Sequence, residues 1–218
     1  LKDFVTKLPS VVSTANGDWV VKGFIDAFRN VYTISSDTKI ISKILEIHLF
    51  PQIVEFARAM GYKLVLADKQ NWYPDLTFVS DEDESIKFAV DIKTTFRRND
   101  KVAGFTLGSH GGYFRERNKS KNIQFPYNQY TAHYCLGIVY TRNDSGDNNE
   151  QNVYQVNEIR ESNGKIVKMV GARKIVPVNK LTEITSVIKD FDFFVAEKWK
   201  IASDKHGSGN TANIGSIN

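Results

Sequence analysis

Polar and apolar positions follow two different periods along the chain, so the sequence predicts both helices and strands. Apolar residues recur at helical spacing after Ser36 or Asp37, either of which can cap a helix, and up to Gly61, which should end it. Pro51 lies inside this stretch and is expected to kink or split the helix. The mixture indicates an α/β or α+β fold, a mixed central β-sheet flanked by helices.

The remaining elements are predicted from short runs rich in β-branched and aromatic residues. The run "WVVKGFIDAFRNVYTI" (19–34) predicts a hairpin, and "LTFVS", "DEDE" and "IKFAVDIKTTF" predict a strand, an acidic turn and a second strand. Further along the chain, "LTEITSVIKDF" (181–191) predicts a helix. Three other strands are expected at "YKLVLA" (62–67), in the second half of "QYTAHYCLGIVYTR" (129–142) and at "FFVAEKWKIA" (193–202).

Composition narrows the class of protein. The 218 residues are 41% hydrophobic, which allows a packed core, and the net charge of +4 permits a polyanionic partner without demanding one. Cys135 is the only cysteine, so an intramolecular disulfide and a four-cysteine zinc site are excluded, and we expect it to lie in the core. No apolar run approaches the ~20 residues that span a bilayer, so we expect no membrane partner and a cytoplasmic location.

Charged side chains share one face of the predicted strand "KFAVDIKTTF". Asp91 and Lys93 are two residues apart, about 6.6 Å along a strand, and point to the same side. If the two strands around "DEDE" pair, Asp75 lies near Asp91 across the ladder. Adjacent carboxylates repel each other, and a divalent cation such as Mg²⁺ relieves the repulsion. This Pro-Asp and Asp-x-Lys spacing resembles the PD-(D/E)xK nuclease motif, although an Asp–Lys pair at a sheet edge explains the short motif equally well.

Longer blocks, in a shared order and over most of the chain, resemble the EcoRV-like type II restriction endonucleases of the PD-(D/E)xK nuclease superfamily. The resemblance implies a restriction-endonuclease-like sheet, a U-shaped DNA-binding dimer, and hydrolysis of double-stranded DNA at a short palindrome, GATATC, with a blunt cut. The blocks are "SDTK" (36–39), "QNWYPD" (70–75), "DIKTT" (91–95), "FTLG" (105–108), "KNIQFPYNQYTAH" (121–133), "VYTR" (139–142) and "GSGNTANIGSI" (207–217).

The resemblance also implies catalytic roles. Asp75 and Asp91 match the carboxylates that hold Mg²⁺, with Mn²⁺ as a substitute. Lys93 matches the amine that stabilises the phosphate charge and orients or deprotonates the attacking water. Glu46 matches a third acid that is both catalytic and a metal ligand. The alternative for Glu46 is an ordinary polar helix face on which it pairs with Lys43.

Two segments resemble the DNA-contacting loops of the family. The glycines of "GSGNTANIGSI" permit a close backbone approach to base edges in the major groove, and the amide of Asn210 suits adenine. Without the resemblance, this stretch is typical of a solvated tail. The implied DNA-binding residues are Gly207, Ser208, Gly209, Asn210, Thr211 and Asn213 in this loop, Gln70 and Asn71 in the second loop, and Lys39, Thr94, Thr95, Thr106 and Lys121 in phosphate or coupling roles.

The predicted organisation is a single endonuclease domain over 1–218. Within it, 19–34 is a dimerisation hairpin, 62–142 the catalytic core and 203–218 the DNA-recognition loop. A palindromic site requires a two-fold reader, so we expect a homodimer, and the resemblance implies a cognate DNA methyltransferase in a bacterial host. The family continues beyond the recognition loop, so the sequence is expected to be a piece of a longer protein. Two alternatives remain: a repair or recombination nuclease without base-specific readout, and a non-catalytic DNA-binding module.

Overall fold

The fold centres on a β-sheet with helices packed against it, as seen in a computed structural model. The structure describes residues 2–99, 101–108, 112–113, 116–118, 121–143, 159–160, 166–167, 175–206 and 214–216. The helices are α1 (Lys2–Val5), α2 (Leu8–Val12) and α3 (Thr38–Ala59), with 3₁₀ turns at Tyr127–Gln129, Val178–Glu183 and Lys198–Lys200. Within these described ranges, no helix combines the length and apolar character needed to cross a membrane.

Strands make up most of the remaining regular structure. They are β1 (Gly23–Ile25), β2 (Asn30–Thr33), β3 (Tyr62–Leu66), β4 (Leu76–Ser80), β5 (Lys87–Arg98), β6 (Lys101–Val102), β7 (Ala132–Arg142), β8 (Ile159–Arg160), β9 (Ile166–Val167), β10 (Ile175–Pro177), β11 (Ile188–Glu197), β12 (Ala202–His206) and β13 (Ile214–Ser216). The central sheet has the order β11-β7-β5-β4-β3, and β6 pairs with β5. Because β5 and β7 are parallel while the other neighbours are antiparallel, the sheet is mixed, and the predicted fold class is confirmed.

Helix α3 forms the main layer against this sheet. Asp37 is the N-cap, since its carboxylate accepts hydrogen bonds from the backbone N–H groups of Lys39 and Ile40 at 2.9 and 3.2 Å. The expected split at Pro51 is wrong, because α3 is one continuous helix of 22 residues. Ile47, whose carbonyl loses its partner to the proline, lies on the exposed face, where water can reach it.

The core lies between α3 and the sheet. Each fully buried Leu or Ile contributes roughly 1.5–3 kcal/mol relative to an exposed position, so this layer holds the strands in register. The opposite face of the sheet carries a smaller aromatic cluster around Ala89, Ile123 and Tyr130. The main core includes Ile41, Leu45, Leu49 and Ile53 of α3 and Phe78, Val90, Ile92, Leu136, Ile138 and Tyr140 of the sheet; Cys135 is also buried, as predicted.

The hairpin predicted within 19–34 is present. Strands β1 and β2 are antiparallel, and β10 adds a third strand against β2. Apolar side chains of this sheet face outward: Phe24, Ile25 and Phe28 are exposed, and Phe28 reaches 86%. An exposed group of large apolar side chains is typical of an interaction surface.

Two predictions near the end of the chain are wrong. The helix predicted over 181–191 is limited to the 3₁₀ turn Val178–Glu183, and β11 begins at Ile188, which pairs with Arg142 of β7. The β-branched residues of this stretch favour pairing at the sheet edge over helix. The strand predicted over 193–202 ends at Glu197, where the chain turns so that the next side chain enters the core.

Gly137 on β7 provides a stability test. A Cβ at this position would lie 2.1 Å from ring atoms of Phe194, its cross-strand neighbour on β11. We expect Gly137→Ala to displace the ring and lower the free energy of unfolding by about 1–3 kcal/mol in chemical denaturation. Gly112→Ala is the matched control, since no atom of the residues that the structure describes lies within 4 Å of its Cβ position. Equal effects of the two substitutions would contradict the prediction.

Candidate active site

The β4–β5 hairpin brings the three predicted catalytic side chains together. Leu76 pairs with Val90, so Asp75, immediately before β4, lies opposite Asp91 on β5. The Lys93 Nζ atom is 2.5 Å from Asp91 Oδ2 and 3.7 Å from Asp75 Oδ2. The backbone N–H of Ile92 donates to Asp75 Oδ2 at 2.7 Å, which holds that carboxylate against β5. Two acids and one ammonium group therefore converge at the start of β4, where its pairing with β5 stops.

The pKa values of the two carboxyl groups shift in opposite directions. Burial and the neighbouring Asp91 charge raise the pKa of Asp75 to about 7. Burial also acts to raise the pKa of Asp91, but Lys198 and Lys93 outweigh it, and the pKa falls below its ordinary value. Burial acts to lower the pKa of Lys93, yet Asp91 and Asp75 raise it above the usual range, so this side chain is an ammonium ion.

The donor set fits a divalent cation. The carboxyl groups of Asp75 and Asp91 are close enough for each to shift the pKa of the other, an arrangement that is unfavourable when both are ionised and that a cation between them would relieve. Carboxylate oxygens are the ligands that Mg²⁺ prefers, and two of them leave positions for water and phosphate. In the part of the chain that the structure describes, no group of three or more His, Cys, Asp or Glu side chains forms a metal site.

Glu46 lies on α3 and lines a cavity beside the predicted catalytic side chains. A cavity of about 280 Å³ is lined by Glu46, Lys43, Asp75 and Ile92, among other residues. Glu46 Oε2 forms an ion pair with Lys43 Nζ at 2.7 Å, which is the helix-face pair that the sequence offers as the alternative. The structure therefore contains the pair and also places Glu46 in the lining of the same cavity as Asp75.

Lys198 is a site residue that sequence reasoning missed. Its side chain is fully buried, and its Nζ atom lies 3.0 Å from Asp91 Oδ2 and 3.2 Å from the carbonyl oxygen of Leu107. The ammonium group also lies 4.3 Å from the ring centroid of Tyr73. Burial lowers the pKa of Lys198, and Asp91 opposes that shift. The available signal was a lysine inside the apolar run "FFVAEKWKIA", which a strand prediction treats as an outward-facing residue.

Two of the predicted DNA-binding residues, Thr94 and Thr95, lie on β5 directly after Lys93. Thr94 and Ser42 share a hydroxyl–hydroxyl contact that joins β5 to α3. Thr95 is buried and donates to the carbonyl oxygen of Ala103 at 2.5 Å, so its hydroxyl supports the loop after β6. Gln70 and Asn71 occupy the exposed turn between β3 and β4, Lys39 is exposed in the first turn of α3, Lys121 is exposed, and Thr106 is half-buried beside Leu107. The DNA-binding roles of these residues stay predictions.

The glycine-rich loop residues Gly207, Ser208, Gly209, Asn210, Thr211 and Asn213 lie outside the described residues. The strands on either side of them are described. Strands β12 and β13 are antiparallel, with His206 opposite Ile214 and Ala202 opposite Ser216. The described strands before and after this segment are therefore paired side by side in opposite directions.

Comparison with known proteins identifies the class that this sheet and site belong to. The family described as "Restriction endonuclease EcoRV" matches residues 15–171 and 165–218. The chain is also 36% identical over 204 residues to the "Type II restriction enzyme EcoRV" of Escherichia coli, an alignment covering 93% of this chain and 73% of that protein. The protein is a type II restriction endonuclease, an enzyme that hydrolyses double-stranded DNA. It belongs to the EcoRV restriction endonuclease family. Restriction endonucleases of this type generally use a divalent metal ion.

Proposed function

We propose that the protein uses Mg²⁺ to cut the palindrome GATATC with a blunt end, and that Asp75, Asp91 and Lys93 form its catalytic centre. The observation that carries this proposal is the convergence of Lys93 on both carboxylates, at 2.5 Å from Asp91 and 3.7 Å from Asp75. The choice of GATATC rests on the block "GSGNTANIGSI" (207–217), which resembles the recognition loop of the family apart from an alanine at position 212.

The chemistry requires these side chains. Hydrolysis of a phosphodiester places negative charge on the non-bridging oxygens and on the leaving oxygen. Asp75 and Asp91 would hold Mg²⁺, which supplies Lewis-acid stabilisation of that charge and lowers the pKa of water when bound, with Mn²⁺ as a substitute. Lys93 supplies a fixed positive charge beside these carboxylates. Because its pKa is raised, Lys93 is suited to stabilising the phosphate charge and orienting the water more than to removing a proton.

Glu46 is proposed as a third catalytic acid and metal ligand. Its position beside the groove that Asp75 lines supports this role. The competing partner is Lys43 at 2.7 Å, so Glu46 would exchange this ion pair for a cation or a water molecule when DNA is bound. That exchange is inexpensive, because an exposed ion pair contributes only about 0–1 kcal/mol.

DNA recognition is assigned to two loops. Residues 207–217 are proposed to enter the major groove, and the paired strands β12 and β13 support a loop in preference to a free tail. Backbone groups of Gly207, Ser208 and Gly209 are suited to guanine, and Asn210, Thr211 and Asn213 to the adjacent edges. Gln70 and Asn71 form the second loop. Lys39, Thr94, Thr95, Thr106 and Lys121 are assigned to phosphate contacts or to coupling between the loops and the catalytic centre.

The active form is proposed to be a U-shaped homodimer with DNA in the cleft between the subunits. A palindrome presents the same half-site twice, and two-fold symmetry matches it. The exposed apolar side chains Phe24, Ile25 and Phe28 support the 19–34 hairpin as the dimer contact. The organisation is then a single domain over 1–218, with 62–142 as catalytic core and 203–218 as recognition loop. The enzyme would work in the bacterial cytoplasm beside a cognate DNA methyltransferase that protects the host sites.

A plasmid experiment tests the proposal. The protein is incubated with Mg²⁺ and a supercoiled plasmid carrying one GATATC site, and with a matched plasmid in which that site is changed. One discrete, blunt linear product from the first plasmid alone supports the proposal, and its appearance without accumulated nicked circles supports a dimer that cuts both strands. Random nicking of both plasmids would favour a repair nuclease. A gel shift without cutting would favour a non-catalytic DNA-binding module.

A further inference from the structure

The buried ammonium group of Lys198 contacts one of the two carboxylates of the candidate site, Asp91. Lys198 is fully buried, a position that lysine rarely occupies without a partner. Its contacts are all made inside the protein: Asp91 Oδ2 at 3.0 Å, the Leu107 carbonyl oxygen at 3.2 Å and the Tyr73 ring at 4.3 Å. These contacts compensate the burial of the charge, and the first of them reaches a proposed metal ligand.

Two lysines contact Asp91, and they differ in their exposure to solvent. Both contact the same oxygen, Oδ2, with Lys93 at 2.5 Å and Lys198 at 3.0 Å. The Lys93 side chain is 23% exposed, whereas the Lys198 side chain is fully buried. Because two ammonium groups hold Oδ2, rotation of the Asp91 carboxylate is restricted. The other oxygen, Oδ1, then remains available to a cation shared with Asp75.

Lys198 also links Asp91 to the end of the chain. It is the first residue of the 3₁₀ turn Lys198–Lys200, which follows β11 and precedes β12 after a single residue. Strand β12 pairs with β13 across the segment proposed to read DNA. The contact between Lys198 and Asp91 therefore connects the start of β12 to the proposed catalytic carboxylates. Lys198 also donates a hydrogen bond to the Leu107 carbonyl oxygen.

We propose that Lys198 is a positioning residue for DNA cleavage, which holds Asp91 in the orientation that binds the divalent cation and ties this carboxylate to the base of the β12–β13 hairpin. The inference rests on the proposed role of Asp91 as a metal ligand. The competing explanation is a purely structural one, in which Lys198 fills the core through Leu107 and Tyr73 and its contact with Asp91 is incidental.

Steady-state cleavage is the first test. In Lys198→Met, which keeps most of the length of the side chain and removes its charge, we expect kcat to fall about 10–100-fold at saturating Mg²⁺ with KM for DNA within about threefold of the wild type. Lys200→Met is the matched control, because Lys200 lies on the same turn and makes a surface ion pair with Glu197 at 2.7 Å. An unchanged kcat in Lys198→Met would overturn the proposal.

The second test needs neither DNA nor a cation, and it separates positioning from core filling. Denaturant midpoints are measured in EDTA for the wild type, Lys198→Met, Asp91→Asn and the double variant. If Lys198 holds Asp91, Asp91→Asn should remove at least half of the midpoint shift that Lys198→Met causes, because the carboxylate is no longer left buried without this partner. Equal shifts in both backgrounds would establish the purely structural role and overturn the proposal.

The double variant also covers a failure to fold. If Lys198→Met alone does not fold, recovery of a cooperative unfolding transition in the double variant supports the proposal, and its absence overturns it. A protein that fails the plasmid experiment while showing the Lys198–Asp91 coupling would refute the proposed function and leave the contact established. The two failures are therefore distinguishable.

Discussion

Asp75→Asn is expected to lower the rate of DNA cleavage on the order of 10³-fold or more while the protein stays folded. The substitution removes one of the carboxylates proposed to hold the cation, and the phosphate charge that develops in the transition state then loses most of its compensation. Folding should be preserved because the Asp75 side chain is 38% exposed and the neutral amide no longer repels Asp91. Single-turnover cleavage at saturating Mg²⁺ measures the effect.

Asp83→Asn is the matched control for this substitution. Asp83 lies at the turn of the same β4–β5 hairpin, where it is exposed and accepts a hydrogen bond from the backbone N–H of Ser85 at 2.8 Å. Cleavage by this variant should equal that of the wild type. If Asp75→Asn retained cleavage within tenfold of the wild type, Asp75 would not be a metal ligand.

The same substitution should change how stability depends on pH. The pKa of Asp75 is raised to about 7 in the folded protein, compared with about 3.9 for an unperturbed aspartate. Between these values the folded state binds a proton that the unfolded state has released, so this residue makes stability fall as pH rises from about 4 to about 7. Denaturation in EDTA at pH 5 and pH 8 should show Asp75→Asn gaining stability relative to the wild type at the higher pH. A relative loss would contradict the prediction.

Lys93→Met is expected to lower cleavage about 10²–10³-fold, because it removes a preorganised positive charge aimed at the scissile phosphate. Stability should fall as well, since Asp91 and Asp75 lose an ammonium group at 2.5 and 3.7 Å. We expect a loss of about 1–3 kcal/mol in the free energy of unfolding, less than the about 3–5 kcal/mol for breaking an isolated buried pair. The reason is that Lys198 still pairs with Asp91.

Lys63→Met provides the comparison for Lys93→Met. Lys63 is exposed on β3 and pairs with Glu84 at 3.4 Å, so its loss should change stability by less than about 1 kcal/mol and leave cleavage unaltered. Single-turnover cleavage rates and the free energy of unfolding in denaturant are measured for both variants. Cleavage by Lys93→Met at the rate of Lys63→Met would remove Lys93 from the catalytic centre.

Several features of the site could be predicted because they depend on residues close together in the chain. The alternation of β5 determines that Asp91 and Lys93 share a face, and a short acidic turn brings Asp75 to the opposite strand. The cap at Asp37 depends on backbone groups two and three residues away. The family resemblance added the roles of these side chains, which periodicity alone does not supply.

Other features depended on contacts between distant segments. Pro51 did not divide α3, because apolar residues on both sides of it pack on the same sheet and outweigh one lost hydrogen bond. The residues predicted as a helix over 181–191 lead into the edge strand β11, because β11 pairs with β7 from Ile188 onward.

The sequence by itself determined the β4–β5 hairpin, the cap of the long helix and the grouping of two acids and a lysine beside the start of β4, because turns and alternating side chains act over a few residues. Only the tertiary structure decided that Lys198 is buried against Asp91, 107 positions earlier in the chain. An isolated lysine favours water, and its burial becomes favourable only when the carboxylate, the Leu107 carbonyl and the Tyr73 ring are assembled around it.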